Sequence, residues 1–197
     1  MAWSLGFRNL IIPGSIIVLS GMPYDHSRNQ ACMTALECGA SHLFFLDSDV
    51  IPPKEAVLRL LSHRLPIVSG VYYRRSPPAG VPVMMKPVGQ WLTRYKPNAL
   101  VEVDVVGAGC LLIAREVLER LPPQSPQSGK HWFDWRVDQK SLATPERLPL
   151  SEDFAFCMAC KQIGYKVMVD TGVTCRHVGL AQATYGRLDP ADAAVHT

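Results

Sequence analysis

The chain has 197 residues, which is enough for one domain with a hydrophobic core and short for two. Apolar residues make up 48% of the chain and charged residues 19%, a balance that excludes an intrinsically disordered protein. A formal net charge of +3 suits an anionic ligand without requiring a nucleic-acid partner. We therefore predict a single domain over residues 1–197, with a C-terminal tail at 180–197.

The cysteines and the N-terminal apolar run bear on where the protein works. The six cysteines lie mostly in apolar runs, which is typical of core residues and not of a secreted disulfide framework. Cys157 and Cys160 have C-x-x-C spacing inside a predicted helix, and we interpret them as core residues too. The N-terminal run is broken by Pro13 and Gly14 and is too short to span a bilayer. We expect a cytoplasmic protein with reduced thiols and no membrane partner.

The first half of the chain alternates between strand and helix patterns. Apolar, β-branched runs predict strands at 15–20, 42–46 and 66–73. A helix is predicted at His26–Cys38, and a second helix follows Pro53. This order of elements indicates βαβ units, whose strands form a parallel sheet with right-handed crossovers.

The second half of the chain predicts shorter elements. The segments "VPVMMK", "LVEVDVV" and "GCLLIA" have the composition of short strands, which we interpret as antiparallel additions to the sheet. "REVLERL" and "SEDFAFCMACKQIGY" are predicted to be helical, and "KVMVDTGVTCRHVG" to be a final strand pair. Residues 122–150 have no periodicity, and an irregular segment of that length in a compact domain is typically functional or disordered. We predict an active-site loop there.

The segment "HLFFLDSDVIPP" places Asp47, Ser48 and Asp49 at the end of an apolar strand. In an α/β sheet, ligands gather at the carboxyl ends of the strands. A D-x-D turn there can present hard oxygen ligands to Mg²⁺ or Mn²⁺ that bridges a diphosphate. Asp and Ser are equally typical of a plain turn, so the motif alone leaves both interpretations open.

Two further positions carry groups suited to acid–base or metal chemistry. Glu152 and Asp153 open a predicted helix, whose dipole stabilises acidic side chains and would keep a general base ionised. His177 lies near the end of the last strand, and imidazole is a ligand that suits Mn²⁺. Each also has a structural interpretation, in which the acids stabilise the helix terminus and the histidine supports the fold.

Candidate ligand-binding residues accompany these groups. Arg28 opens the first helix, where a guanidinium and backbone N–H groups can together receive a phosphate. In "VVGAGCLL", Gly107 and Gly109 lie on either side of Ala108 and permit either the close approach of a ligand or a turn. Both segments are therefore candidates for binding a phosphorylated ligand.

Aromatic and basic residues indicate a surface that binds an anion, a sugar or a base. Tyr72, Arg74 and Arg75 follow the third predicted strand and suit an anion or a sugar. Trp132 belongs to a tryptophan-rich part of the irregular segment, which can stack on a sugar ring or base or can anchor the loop to the core. If the ligand is a sugar that accepts another group, Tyr72, Arg74 and Trp132 are the residues predicted to bind this acceptor.

In chain order, four segments resemble the GT-A type of nucleotide-sugar glycosyltransferase in its compact, family-2-like form. They are "SGMPYDHSRNQ", "HLFFLDSDV", "SEDFAF" and "CRHVG", and the resemblance covers 15–179. "FLDSDVIPP" and "PIVSGVYYRR" look particularly like small phage-type members, which implies a host-cell cytoplasm if a phage encodes the chain. The resemblance implies an α/β, Rossmann-like GT-A fold with a mixed sheet: a parallel N-terminal βαβαβ part with antiparallel additions.

The resemblance also implies a role for each candidate residue. Asp47, Asp49 and His177 would bind Mn²⁺ or Mg²⁺ on the donor diphosphate. Within the Glu152–Asp153 pair, Asp153 would be the general base of an inverting hexosyl transfer from a UDP-sugar. Because "SEDF" lacks the Q-x-x-R-W pattern of processive synthases, a single transfer is expected. The implied donor-binding residues are Arg28, Ser48, Gly107, Ala108 and Gly109.

The acceptor is the least defined partner. One hypothesis is 5-hydroxymethylcytosine in DNA, in which basic residues contact phosphates and the target base leaves its stack to reach the site. A glycan or a protein is the other kind of acceptor that we consider. The basic residues of the DNA hypothesis are Arg74, Arg75, Lys86, Arg94, Lys96 and Lys130.

Two functions of other classes also use such residues. A haloacid-dehalogenase-like phosphatase ends an apolar strand in D-x-D, and would use Asp47 as nucleophile and Asp49 as acid. That interpretation leaves His177 and the "SED" segment without a role, and the usual D-G-T continuation is missing. The remaining hypothesis is a catalytically inactive sugar- or nucleic-acid-binding module on the same scaffold.

Overall fold

The computed structural model describes residues 10–75, 80–122, 132–135 and 151–178. Within them the predicted helices are confirmed, with ends that differ by a few residues. Most of the predicted loop at 122–150 and the whole predicted tail at 180–197 lie outside the described residues. The helices are α1 (Tyr24–Glu37), α2 (Ala56–Ser62), α3 (Arg115–Arg120) and α4 (Glu152–Gln162).

The strands form one main sheet and two short ribbons. They are β1 (His42–Leu46), β2 (Val50–Ile51), β3 (Ile67–Val71), β4 (Met84–Met85), β5 (Leu100–Val103), β6 (Val105–Val106), β7 (Cys110–Ala114), β8 (Val167–Thr174) and β9 (Arg176–His177). The main sheet has the order β1-β7-β3-β8-β5, while β2 pairs with β9 and β4 with β6. Strands β3 and β8 are parallel neighbours, and the other neighbours are antiparallel. The fold is thus a mixed α/β domain with a mixed sheet.

Two apolar cores lie on opposite faces of the main sheet. Alternate side chains of a strand point to opposite faces, so Ile67 of β3 enters the larger core and Val68 the smaller one. Helices α1, α3 and α4 cover the larger core, where the rings of Phe133 and Phe156 stack with centroids 4.5 Å apart. Helix α2 covers the smaller core through Leu60. Strand β3 is buried along its whole length because strands flank it on both sides.

The strand predicted at 15–20 is wrong. These residues form no strand in the structure, and Ile16 and Val18 are 54% and 64% exposed. β-Branched residues form a strand only where a neighbouring strand offers hydrogen bonds and a core offers burial. Leu19 packs partly against the larger core, but the residues on either side of it are exposed. Local composition therefore overstated the strand.

The predicted parallel N-terminal sheet is also corrected. Strands β1 and β3 run in the same direction but are not neighbours, because the antiparallel β7 lies between them and pairs with both. The parallel pair is instead β3 with β8, from distant parts of the chain. Alternation of strands and helices predicts crossovers, but it does not reveal which later strand is inserted between two earlier ones.

The cysteines of the C-x-x-C segment belong to the core, as predicted. All six cysteines are free thiols, and Cys157 and Cys160 are fully buried. Burial raises the pKa of Cys157 to about 12, so its thiol is unreactive at neutral pH. Along the described parts of the chain, none of the helices has the length and apolar character needed to cross a membrane.

Asp170 on β8 ties helix α2 to the sheet through a charged network. Its side chain is 1% exposed and accepts hydrogen bonds from Arg59 at 2.6 and 2.9 Å and from His63 at 2.7 Å. Burial by itself would raise the pKa of Asp170, but these bonds and one from the Gly172 N–H outweigh it, so the pKa is lowered. The fold therefore stabilises the ionised carboxylate.

Replacing Asp170 with Asn is expected to lower the free energy of unfolding by about 2 kcal/mol, because Arg59 and His63 lose the charge they pair with. In the wild type this contribution is complete above the unfolded pKa of about 3.9 and is lost as the pH falls through the lower native pKa. Urea unfolding at neutral and acidic pH measures both effects. Glu102→Gln, which breaks an exposed pair with Lys166, is the control. Equal destabilisation by the two substitutions would contradict the prediction.

Candidate active site

The predicted site residues meet at one edge of the main sheet. Strands β1, β3 and β8 run in the same direction, and Asp47, Arg74 and His177 follow them. Strand β7 runs the opposite way, so the segment 107–109 that precedes it lies at the same edge. Helix α4 leads into β8 and therefore begins at this edge, which brings in Asp153. This is the edge at which α/β sheets bind ligands.

Arg28 lies at the centre of the site and is buried, with 6% of its surface exposed. Its Nε donates to Oε1 of Glu152 at 3.1 Å, and its Nη2 donates to Oδ1 of Asp47 at 3.3 Å. Its Nη1 lies 3.5 Å from the carbonyl oxygen of Ala108. The guanidinium thus joins α1, β1, the glycine segment and α4. Because its N–H groups point at protein acceptors, the predicted role of Arg28 in holding the donor phosphate is not supported by its position.

The charges around Arg28 are balanced by burial and by one another. Burial disfavours the charged guanidinium, but Asp47, Asp153 and Glu152 outweigh this and raise the pKa of Arg28. Burial also raises the pKa of Glu152, Asp153 adds to that effect, and Arg28 opposes it. The pKa of Asp47 is raised for the same first reason, again against the effect of Arg28. One permanent cation therefore supports a cluster of three acids.

Glu152 and Asp153, predicted together as catalytic, have different environments. Glu152 is 4% exposed and bound to Arg28, so its position does not support its predicted catalytic role. Asp153 is partly exposed, and its Oδ1 accepts hydrogen bonds from the Phe154 N–H at 2.8 Å and from the Ser151 hydroxyl. Its Oδ2 accepts one from the Ala108 N–H at 3.3 Å. Asp153 is therefore the more accessible of the two acids.

Asp49 and His177 face each other across the β2–β9 ribbon. Nε2 of His177 lies 3.4 Å from Oδ1 of Asp49, and Nδ1 lies 2.6 Å from the carbonyl oxygen of Tyr73. A carbonyl oxygen only accepts, so Nδ1 carries the proton and, in the neutral ring, Nε2 turns its lone pair toward the carboxylate. Two acceptors that face each other need a cation, which is either a proton on Nε2 or a metal ion bound to both.

Arg75 provides a positive charge at the other oxygen of Asp49. Its Nη1 lies 2.8 Å from Oδ2 of Asp49, and 46% of its side chain is exposed. Burial by itself would raise the pKa of Asp49, but His177 and Arg75 together lower it. Asp49 is thus a carboxylate that stays ionised and open to solvent. Ser48, at the tip of the turn between Asp47 and Val50, is exposed and free to meet a ligand.

The predicted metal triad is only partly assembled. Counting the described ranges alone, no three His, Cys, Asp or Glu groups are arranged to hold a metal ion. Asp47 is directed to Arg28, whereas Asp49 and His177 are directed to each other. A carboxylate and an imidazole with its other nitrogen bound to a carbonyl oxygen fit Mn²⁺ as two protein ligands. Phosphate oxygens of a ligand are suited to the remaining positions.

Tyr72 is an internal residue, so its position does not support its predicted role in acceptor binding. It is 6% exposed, its hydroxyl oxygen accepts the Gly109 N–H at 3.1 Å, and its ring meets that of His177 with centroids 5.4 Å apart. A Cβ atom at Gly107 would lie 1.9 Å from the Tyr72 hydroxyl oxygen, and one at Gly109 would lie 2.9 Å from Cζ of the ring. The close approach of Tyr72, and not of a ligand, accounts for the two glycines. Ala108 between them is fully buried.

Trp132 is buried and bonded to the backbone of another element, so its position does not support its predicted acceptor role either. It is 8% exposed, and its Nε1 donates to the carbonyl oxygen of Leu118 at 2.8 Å. The side chain of Asn29 accepts the Trp132 N–H at 2.9 Å and exchanges hydrogen bonds with the backbone of Phe133. Sequence reasoning missed Asn29, since a single Asn in a helix belongs to no recognised pattern.

A surface cavity of about 340 Å³ lies away from these residues. Its lining includes Leu65 and Tyr165, which precede β3 and β8 and so lie at the amino-terminal edge of the sheet. Its two charged residues, Glu102 and Lys166, pair with each other at 3.1 Å. Because the only charged groups among its described lining residues neutralise each other, these residues offer no group for acid–base or metal chemistry. The carboxyl edge of the main sheet is therefore the better candidate site.

The fold and the site together define an α/β protein with a cluster of acids, a buried arginine and a histidine at the carboxyl edge of its sheet. No protein-family model matches the sequence, and no curated protein matches it either. The crystal structure of A197 from STIV is similar, with a TM-score of 0.57 and 21% sequence identity. The similarity covers 83% of this chain and 72% of A197. At this identity the likeness supports the fold alone.

Proposed function

We propose that the protein is a metal-dependent glycosyltransferase with a GT-A arrangement, which moves one sugar from a nucleoside diphosphate donor to an acceptor hydroxyl. The observation that carries the proposal is the placement of Asp49 with His177 and of Asp153 at one edge of the sheet. The first two suit the diphosphate end of such a donor, and the third suits the acceptor hydroxyl. The ordered resemblance of "DSD", "SED" and "RHVG" to this class of enzyme supports the same function.

Each residue has a defined task in the proposed reaction. Asp49 and His177 would hold Mn²⁺ or Mg²⁺, which supplies positive charge to the departing diphosphate. Arg75, next to Asp49 and largely exposed, is placed to contact the same phosphates. Asp153 takes the proton of the acceptor hydroxyl as its oxygen forms a bond to the sugar carbon. The bond from that carbon to the diphosphate breaks, and its electron pair leaves with the nucleoside diphosphate.

The phosphatase alternative is less well supported by the site. A nucleophilic Asp47 has to be ionised, whereas burial raises its pKa against the effect of Arg28, which donates to its Oδ1 at 3.3 Å. The acid of that mechanism, Asp49, is directed to His177 and Arg75 instead. The transferase proposal accounts for His177 and Arg75, because they lower the pKa of Asp49 and so keep it ionised to bind a cation.

Binding of UDP and GDP by calorimetry, with and without Mn²⁺, tests the proposal first. We expect one nucleotide to bind only with the metal, and Asp49→Ala to weaken that binding tenfold or more, an effect of about 1.4 kcal/mol or above. Asp104→Ala is a matched control, because it removes a carboxylate paired with Lys161 outside the site. Failure of UDP, GDP and their sugar donors to bind or to be hydrolysed, with Mn²⁺ or Mg²⁺, would overturn the proposal.

A further inference from the structure

We propose that the acceptor is a neutral carbohydrate, whose sugar ring packs into an aromatic corner formed by Trp91, Phe154 and Arg74. This inference rests on the transferase proposed above and names the substrate class of its acceptor side. It replaces the predicted acceptor set, since Tyr72 and Trp132 are internal and only Arg74 remains at the surface of the site.

The aromatic corner has a defined shape. The ring centroids of Trp91 and Phe154 are 6.3 Å apart, and their planes are inclined by 62°. The guanidinium carbon of Arg74 lies 4.8 Å from the Trp91 centroid. Both aromatic side chains pack against the larger core but remain partly exposed. They therefore offer a fixed apolar surface that is bordered by a charged hydrogen-bond donor.

The aromatic corner lies beside the proposed base. Phe154 is the next residue after Asp153, and its backbone N–H donates to Oδ1 of Asp153 at 2.8 Å. The first turn of α4 thus fixes the base and one wall of the corner together. Arg74 follows β3 and reaches the corner from the same edge of the sheet. The proposal therefore places the body of the acceptor against these rings when one of its hydroxyl groups meets Asp153.

The shape of the corner favours a glycan over a base in DNA. A flipped base is held by stacking between aromatic or apolar groups, whereas two rings inclined by 62° form a corner and no parallel slot. DNA also requires several cations at phosphates, and Lys86, Arg94 and Lys96 are exposed. The shape of the corner, and not the charge, therefore decides between the two acceptors. A sugar needs only an apolar face for its C–H groups and donors for its hydroxyl groups.

An array of neutral oligosaccharides, probed with the full chain, Mn²⁺ and the nucleotide that binds, tests this inference. We expect at least one glycan to bind, and Trp91→Ala to raise its Kd about tenfold. Trp91→Phe retains an aromatic face and is expected to keep most of the affinity. The control is Tyr165→Ala, since Tyr165 also has an arginine over its ring, with Cζ of Arg120 5.4 Å from the centroid, but precedes β8 at the amino-terminal edge of the sheet. Thermal unfolding of each variant shows that it is folded, and only folded variants are compared.

The outcomes separate this inference from the proposed function. Glycan binding that is weakened by Trp91→Ala and not by Tyr165→Ala supports the aromatic corner. If the metal and nucleotide bind but no glycan binds or accepts a sugar, the inference is overturned and the transferase stands. Transfer to hydroxymethylcytosine DNA that is unaffected by Trp91→Ala overturns it as well. If no nucleotide binds with metal, both proposals are overturned.

Discussion

Asp153→Asn is expected to reduce the rate of sugar transfer by about 10²–10⁴-fold, the usual effect of removing a general base. Asn has nearly the same shape, but its one side-chain oxygen can accept only one of the two N–H groups, of Ala108 and Phe154, that bond to different oxygens of Asp153. Its amide cannot take a proton from an acceptor hydroxyl at neutral pH. The loss is therefore expected in kcat, with binding of the nucleoside diphosphate retained.

Asp104→Asn is the matched control for this substitution. Asp104 pairs with Lys161, which lies on α4 as Asp153 does. The variant therefore removes one carboxylate near α4 but none from the carboxyl edge of the sheet. Its rate is expected to stay close to that of the wild type. If Asp153→Asn keeps its activity while Glu152→Gln abolishes it, the assignment of the base is wrong. That result would mean that Glu152 leaves Arg28 during the reaction.

The location of the site could be predicted from the sequence, because it depends on where strands end. An apolar run that stops at Asp47 marks the carboxyl end of a strand, and an acidic pair before an apolar helical pattern marks a helix start. These two signals are local, and the structure has both features, since β1 ends at Leu46 and α4 begins at Glu152. The conclusion that Asp49, Asp153 and His177 share one edge required only the directions of the elements.

The identity of each partner could not be predicted, because it depends on contacts between distant residues. Arg28 is 124 positions from Glu152 in the chain, and no local pattern distinguishes a buried arginine from a phosphate ligand. Gly107 appeared to make room for a ligand, whereas the room is filled by Tyr72. The strand at 15–20 failed for the same reason, since pairing depends on a neighbour that the segment itself does not specify.

Arg28→Met is expected to lower the free energy of unfolding by about 3–5 kcal/mol, the usual cost of removing one partner from a buried ion pair. Arg28 is 6% exposed and Glu152 is 4% exposed, so the remaining carboxylate has no access to water. Urea unfolding measures the loss. Lys166→Met, which breaks an exposed pair with Glu102, is the control and is expected to leave the midpoint unchanged.

The double variant Arg28→Met, Glu152→Leu separates the contribution of Arg28 to stability from its contribution to activity. Replacing both partners of a buried ion pair with apolar groups is often neutral for stability, so most of the lost stability should return. Activity should not return, because the double variant still lacks the contact of Arg28 with the carbonyl oxygen of Ala108, whose N–H donates to Asp153. If stability stays low in the double variant, the contact of Arg28 with Asp47, and not the contact with Glu152, holds the fold together. A stable but inactive double variant would instead identify Arg28 as a residue that positions the site around Asp153.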